Sequence, residues 1–186
     1  MSLELIGVIG AVVIFLAHFP LYVKIVRKTV RPSLATWAMW SIMLGMVFAS
    51  QVMAGKKDPW GMLAAACGTI AVFILLLFYG ERAWSRFDTK CLVLAAIGIA
   101  IWAVTSAAVT QVAFLAAILT AGAPTVKNAW KNPENESALV WATFTVGFAM
   151  TTIAVPDWSN LTIWIQPVAS TIFNSIVFTL ATRREN

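Results

Sequence analysis

The chain has 186 residues, of which 60% are hydrophobic and 11% charged, with a net charge of +5 and a mean hydropathy of +0.84. A water-soluble domain this apolar could not cover its surface with polar groups, so a lipid bilayer is the expected solvent and no soluble catalytic domain fits beside the spans. The positive charge does not read as a nucleic-acid surface, because the thirteen Lys and Arg residues sit in short clusters between apolar runs.

The first apolar run, 4–27, lacks a basic leading region and a small-residue cleavage site, and reads as a retained span. It carries His18, the one histidine, two residues before Pro20. The second, 33–54, opens on Ser33 as a candidate N-cap and places Trp37 and Trp40 on one helix face. The third, 60–80, contains Cys67-Gly68. From Cys91 to Val126 there is no charge, and those 36 residues would form a helix of about 54 Å, too long for one crossing. A break is therefore expected at Thr105, Ser106, Thr110 and Gln111, giving a fourth span at 90–106 and a fifth at 109–130. The sixth, 137–155, again opens on a serine, Ser137, and the seventh covers 160–182.

Charge sets the expected orientation. With seven spans, Lys24, Arg27, Lys28, Arg31, Arg82, Arg86, Lys90, Lys127, Lys131, Arg183 and Arg184 share one side, and only Lys56 and Lys57 lie on the other. That bias puts the N-terminus outside and the C-terminus in the cytoplasm of an integral protein of the cell (inner or plasma) membrane.

The two ends of the chain repeat. A shift of 104 residues superimposes Pro20 on Pro124, Ser33 on Ser137, and Trp37-Ala38 on Trp141-Ala142. Each half then holds three spans, and one linker helix between them gives both halves the same direction. The expected organisation is a three-helix repeat over 1–82, a linker helix over 83–108, and a second three-helix repeat over 109–186.

A three-helix repeat with proline late in its first helix and a polar turn before its second resembles the PQ-loop superfamily. The 3+1+3 arrangement is most similar to the SWEET sugar transporters, whose half-size relatives are the SemiSWEETs. The family's Pro-Gln dipeptide stands here as Pro20-Leu21 and Pro124-Thr125. Where SWEETs carry a substrate-facing asparagine in the third helix of each half, this chain offers Cys67-Gly68, and Gln166-Pro167 with Asn174 two turns further in. The resemblance implies a transporter working by alternating access, with sugar as the favoured small polar solute. Nucleosides and amino acids follow, since nicotinamide riboside carriers share a SWEET-like fold and PQ-loop exporters of amino acids exist.

Several residues are candidates for that chemistry. Pro20 and Pro124 remove a backbone hydrogen bond and serve either as paired hinges or as fixed kinks. Trp37, Trp40 and Trp141 serve either as a lining for the flat face of a solute or as an interfacial aromatic belt. Asn174, Ser170, Gln166 and Cys67 form a candidate polar belt near mid-membrane, with packing between helices as the alternative role. His18 is a candidate proton-sensing group, or a neutral partner for a carbonyl freed near the kink.

All eight acidic residues lie at span ends or in loops, so no buried carboxylate is offered for proton or sodium coupling, and passive facilitation is the simpler expectation. No P-loop, H-E-x-x-H, nucleophile elbow or Cys/His metal spacing occurs, so neither an enzyme nor a cofactor is expected. The rival class is a membrane receptor or scaffold that does not transport. Partners beyond the solute and lipid, including a second copy in a homo-oligomer, are left open by the sequence.

Overall fold

In lipid every backbone N–H and C=O must be satisfied within the chain, and continuous apolar helices are the simplest answer. The computed structural model describes the backbone of residues 2–29, 34–80 and 107–183, with scattered positions from 89 to 105. Its helices are α1 (Leu3–Ala17), α2 (Phe19–Val26), α3 (Leu34–Met53), α4 (Trp60–Tyr79), α5 (Ala107–Lys131), α6 (Ala138–Ile153) and α7 (Leu161–Ala181). No strand occurs among the described residues.

The helix ends follow from local chemistry. Ser2 Oγ accepts from the amide of Leu5 at 3.2 Å, and Asn160 Oδ1 from that of Thr162 at 3.1 Å. Gly55 takes φ +83°, which lets the Lys56 amide return to the Gln51 carbonyl at 3.0 Å and close α3. Ser137 stands at the N-cap of α6 without a side-chain cap bond, so the expected capping role is not made there. Ser33 lies outside the described residues.

Four segments are long and apolar enough to cross a membrane: Leu3–Val26 (α1 with α2), Trp60–Tyr79, Gln111–Lys131 and Leu161–Ala181. Two shorter apolar helices accompany them, Trp37–Met53 and Ala138–Ile153. At 16 residues α6 is about 24 Å long, shorter than a hydrocarbon core of about 30 Å. Large apolar side chains cover the exterior, among them Phe19, Phe78, Leu139 and Ile172, as a lipid-facing surface requires. The chain therefore has the form of an all-α integral membrane protein. Of the expected fourth span, Thr89, Lys90, Val93, Ala96, Ile97, Ala100 and Val104 are helical, and the rest lies outside the described residues.

The helices pack as a closed ring. Within 3–79, α4 lies between α1 and α3; within 107–181, α7 lies between α5 and α6. Two seams join these groups, α1 against α6 and α3 against α5.

The seams differ in closeness. At the first, a Cβ built on Gly10 would lie 2.9 Å from the Gly147 carbonyl, and one on Gly147 would lie 3.0 Å from the Ile14 amide nitrogen. Only glycine permits such backbone contact, the small-residue packing common between membrane helices. The 104-residue shift places Phe114 where the first seam has Gly10 and Met43 where it has Gly147. Both are fully buried, so large side chains fill the second seam.

Gly10→Ala is expected to destabilise by about 1–3 kcal/mol, because the obstructing atom is backbone and cannot rotate away. Gly45→Ala, where nothing lies within 4 Å, is expected to be neutral or to gain up to about 1 kcal/mol. Melting of the two purified variants checks both; equal behaviour would remove the contrast.

Candidate functional site

The first span is interrupted at His18, two residues before Pro20. The His18 amide turns to the Phe15 carbonyl at 3.2 Å, and His18 Nδ1 lies 2.9 Å from the Ile14 carbonyl oxygen. A carbonyl only accepts, so Nδ1 carries the proton and the side chain satisfies the group that the kink freed. The second proline behaves differently: α5 runs through position 124 without interruption. Position 122, related to His18 by the shift, is a glycine and cannot supply that substitute donor. The helix assignment is thus broken beside Pro20 and unbroken through position 124. Pro20 itself faces outward.

His18 is buried and anchors a layer of rings crossing both helix groups. It lies directly over Gly68 of α4, where an added Cβ would overlap the imidazole. Tyr22 hydroxyl donates to the Gly68 carbonyl at 3.1 Å and ties the kinked segment to the same place. Phe144 of α6 presents an edge to His18 with centroids 4.7 Å apart, and Trp37 of α3 does so at 6.4 Å. Trp37 continues to Trp40 at 5.1 Å, and Phe144 to Trp141 at 6.1 Å. Trp141 in turn meets Phe173 of α7 at 6.3 Å. Phe173 covers Gly122 of α5, whose added Cβ would lie 2.5 Å from its ring. Glycines on α4 and α5 thus make room for rings from α1 and α7.

Two polar features adjoin this layer. Trp40 Nε1 is buried and has no partner, while Trp141 Nε1 donates to Glu136 at 2.9 Å. On α7, Gln166, Ser170 and Asn174 follow one another at four-residue spacing on one face. Gln166 Nε2 donates to Ser170 Oγ at 3.2 Å, and Asn174 Nδ2 to the Ser170 carbonyl at 2.6 Å. Gln166 and Asn174 are buried.

The sequence-derived candidates therefore divide. Trp37, Trp141 and His18 share the aromatic layer, and Gln166, Ser170 and Asn174 form one stripe on α7, with Asn174 beside Phe173. Cys67 does not join them: it is exposed, on a face of α4 with Ile70 and Ile74, which puts it toward lipid. Its neighbour Gly68 makes the central contact instead. An open apolar groove of about 430 Å³ between Leu119, Ala123, Val126, Lys127, Trp130 and Phe173 lies on the outer side of α5.

Sequence reading missed a second buried group. Ser50, Gln51 and Gln111 are almost fully buried, and their side-chain polar atoms have no hydrogen-bond partner; the carbonyl of Gln166 shares that condition. Between this group and the aromatic layer lies a plug of Ile14, Met43, Val47 and Phe114, all fully buried. Outside the bundle, burial pushes the Lys56 ammonium down to about 8 against the pull of Asp58, and hydrogen bonds from Ser159 hold Asp157 below the usual carboxylate range. Among the described residues no group of three or more His, Cys, Asp and Glu is placed to hold a metal ion.

Gly68→Ala is expected to displace the His18 ring, lowering stability by about 1–3 kcal/mol and shifting tryptophan emission, since Trp37 packs on that ring. Unaltered emission and melting would separate His18 from the layer. Comparison of the chain with protein-family models, with curated proteins and with solved structures finds no match.

Proposed function

We propose that the chain is a facilitative transporter of a small, polar, largely uncharged solute, sugar being favoured, that works by alternating access between two three-helix repeats joined by a linker helix. The N-terminus faces outside and the basic ends of the helices face the cytoplasm. The observation that carries the reading is the order of polar and apolar layers. An aromatic and amide layer toward the basic end and a glutamine group toward the other end are separated by the apolar plug. A solute path closed at its middle has this form.

The packing supports the two-repeat part of the reading. Exchanging the first span with α5, α3 with α6, and α4 with α7 leaves the set of neighbouring helix pairs unchanged. Such exchange is what two repeats about an axis along the membrane normal produce. The unlike seams support a direction of movement: the glycine contact of α1 with α6 acts as the fixed side, and the side-chain-filled contact of α3 with α5 as the side that opens.

The solute class is supported by what lines the layers. Rings offer apolar faces to a sugar or a nucleoside, and the Trp40 N–H and the Asn174 amide offer hydrogen bonds without charge. His18 stays a candidate proton-sensing residue of this layer.

The test is solute binding followed by flux. Purified protein is melted with glucose, a nucleoside and a neutral amino acid at millimolar concentration, and the ligand that raises Tm is then followed into liposomes. Saturable uptake without an imposed proton gradient is expected. Asn174→Ala is expected to remain folded, within about 1 kcal/mol of the parent, while losing at least tenfold in binding. A Tm unmoved by every solute, with no uptake, would leave the receptor or scaffold reading in its place.

A further inference from the structure

The unpartnered amides at the end away from the basic loops have no role in the aromatic layer. Gln51 and Gln111 are 0% exposed, and neither the nitrogen nor the oxygen of either amide has a partner. The Ser50 hydroxyl and the Gln166 carbonyl are likewise buried and unpartnered. In a native structure each such group calls for an explanation.

These groups share one level of the bundle. On α5 and α7, Gly122 lies against Phe173 and Trp130 against Arg183. Position 111 therefore falls level with positions 162–164, two to four residues, or about one turn, from Gln166. On α3, Ser50 and Gln51 end the helix that packs on α5. The first seam supplies a control for what the fold itself requires. There the shift-related positions are Gly7 for Gln111, Ala154 for Ser50 and Val155 for Gln51. Gly7 packs on Ala154, with 3.2 Å between a built Cβ and the alanine methyl. Apolar residues thus close that seam, and the second seam holds an amide group that packing does not ask for.

We infer that Ser50, Gln51, Gln111 and the Gln166 carbonyl form a second binding site, on the far side of the apolar plug from the aromatic rings, for a small neutral polyol. The donor and acceptor set excludes an ion and points to a neutral ligand that both donates and accepts. Two free amide nitrogens donate, three amide oxygens accept and one hydroxyl does both. An ion would use only one of these sets, whereas a ligand with several hydroxyls uses both. No charged side chain belongs to the group itself; Lys56, Lys57 and Asp58 lie in the loop that follows α3. The binding stands apart from the transport reading; only the site's place as the outer station of a path rests on it.

The test compares the full-length protein with Gln51→Leu and Gln111→Leu, melted alone and with glycerol or myo-inositol, neither of which is a solute of the transport test. Polyols also stabilise proteins by exclusion, an effect common to all variants, so the difference between parent and variant is the readout. The variants are expected to melt several degrees higher than the parent without ligand, because the unsatisfied amides are gone. They are expected to lose the extra rise that at least one polyol gives the parent, while Asn174→Ala keeps it. Variants that melt lower would make the amides structural, and an equal rise in parent and variants would remove the site. Where a leucine variant does not fold, Ser50→Ala decides, with a tenfold loss of polyol affinity expected and unchanged affinity overturning the proposal. Loss of the polyol rise in a protein that shows no flux would keep the site and remove the transporter.

Discussion

The backbone contact of Gly10 with Gly147 is the constraint around which the bundle is arranged. In lipid, apolar helices gain little by burying apolar side chains from one another, so association depends on how closely they fit. Where α1 and α6 touch through glycine, the two helix groups are set at one distance, and Gly61 of α4 joins the contact against Thr151 of α6. The opposite seam, α3 on α5, must then close the ring with whatever fills the remaining space. It does so with Met43, Val47 and Phe114, and beyond them with amides that find no partner. One seam is specified by contact and the other by filling.

The same contrast runs along the axis of the bundle. His18, by donating to the Ile14 carbonyl, lets the first span bend without leaving a bare acceptor in lipid, and the bend brings its ring onto Gly68. From there the ring contacts extend through Phe144 and Trp141 to Phe173 and Gly122. The layer has strong shape and few hydrogen bonds, while the glutamine group has free hydrogen-bonding atoms and little aromatic surface. A solute with an apolar face and several hydroxyls matches both, which is the chemical link between the two layers in the proposed function.

Much of the helix layout was legible from the sequence because lipid enforces long apolar runs bounded by charge or proline. The expected 60–80 appears as Trp60–Tyr79 and the expected 160–182 as Leu161–Ala181. The stripe Gln166, Ser170, Asn174 was legible too, since four-residue spacing puts side chains on one helix face. Faces were harder. A membrane helix that is apolar all round gives no sign of which side meets protein, and the exposure of Cys67 beside Ile70 and Ile74 follows only from how α4 packs. Gln51 and Gln111 sit near helix ends beside Gly55, Lys56 and Thr110, so they read as boundary residues. Only the docking of α3 on α5 buries them, and no local pattern encodes a tertiary contact. The break at position 18 was equally hidden, because it turns on a side-chain bond from His18 that the glycine at position 122 cannot make.

The central claim, a fixed seam and an opening seam, is tested most directly by pulsed spin-label distances across each in liposomes. Labels at Glu4→Cys and Asp157→Cys report on α1 and α6, and labels at Ala54→Cys and Thr110→Cys report on α3 and α5. With and without the solute identified by binding, the first pair should give one narrow, unchanged distance, and the second should give two populations whose ratio the solute shifts. Movement across the glycine seam, or a single rigid distance at both, would contradict it.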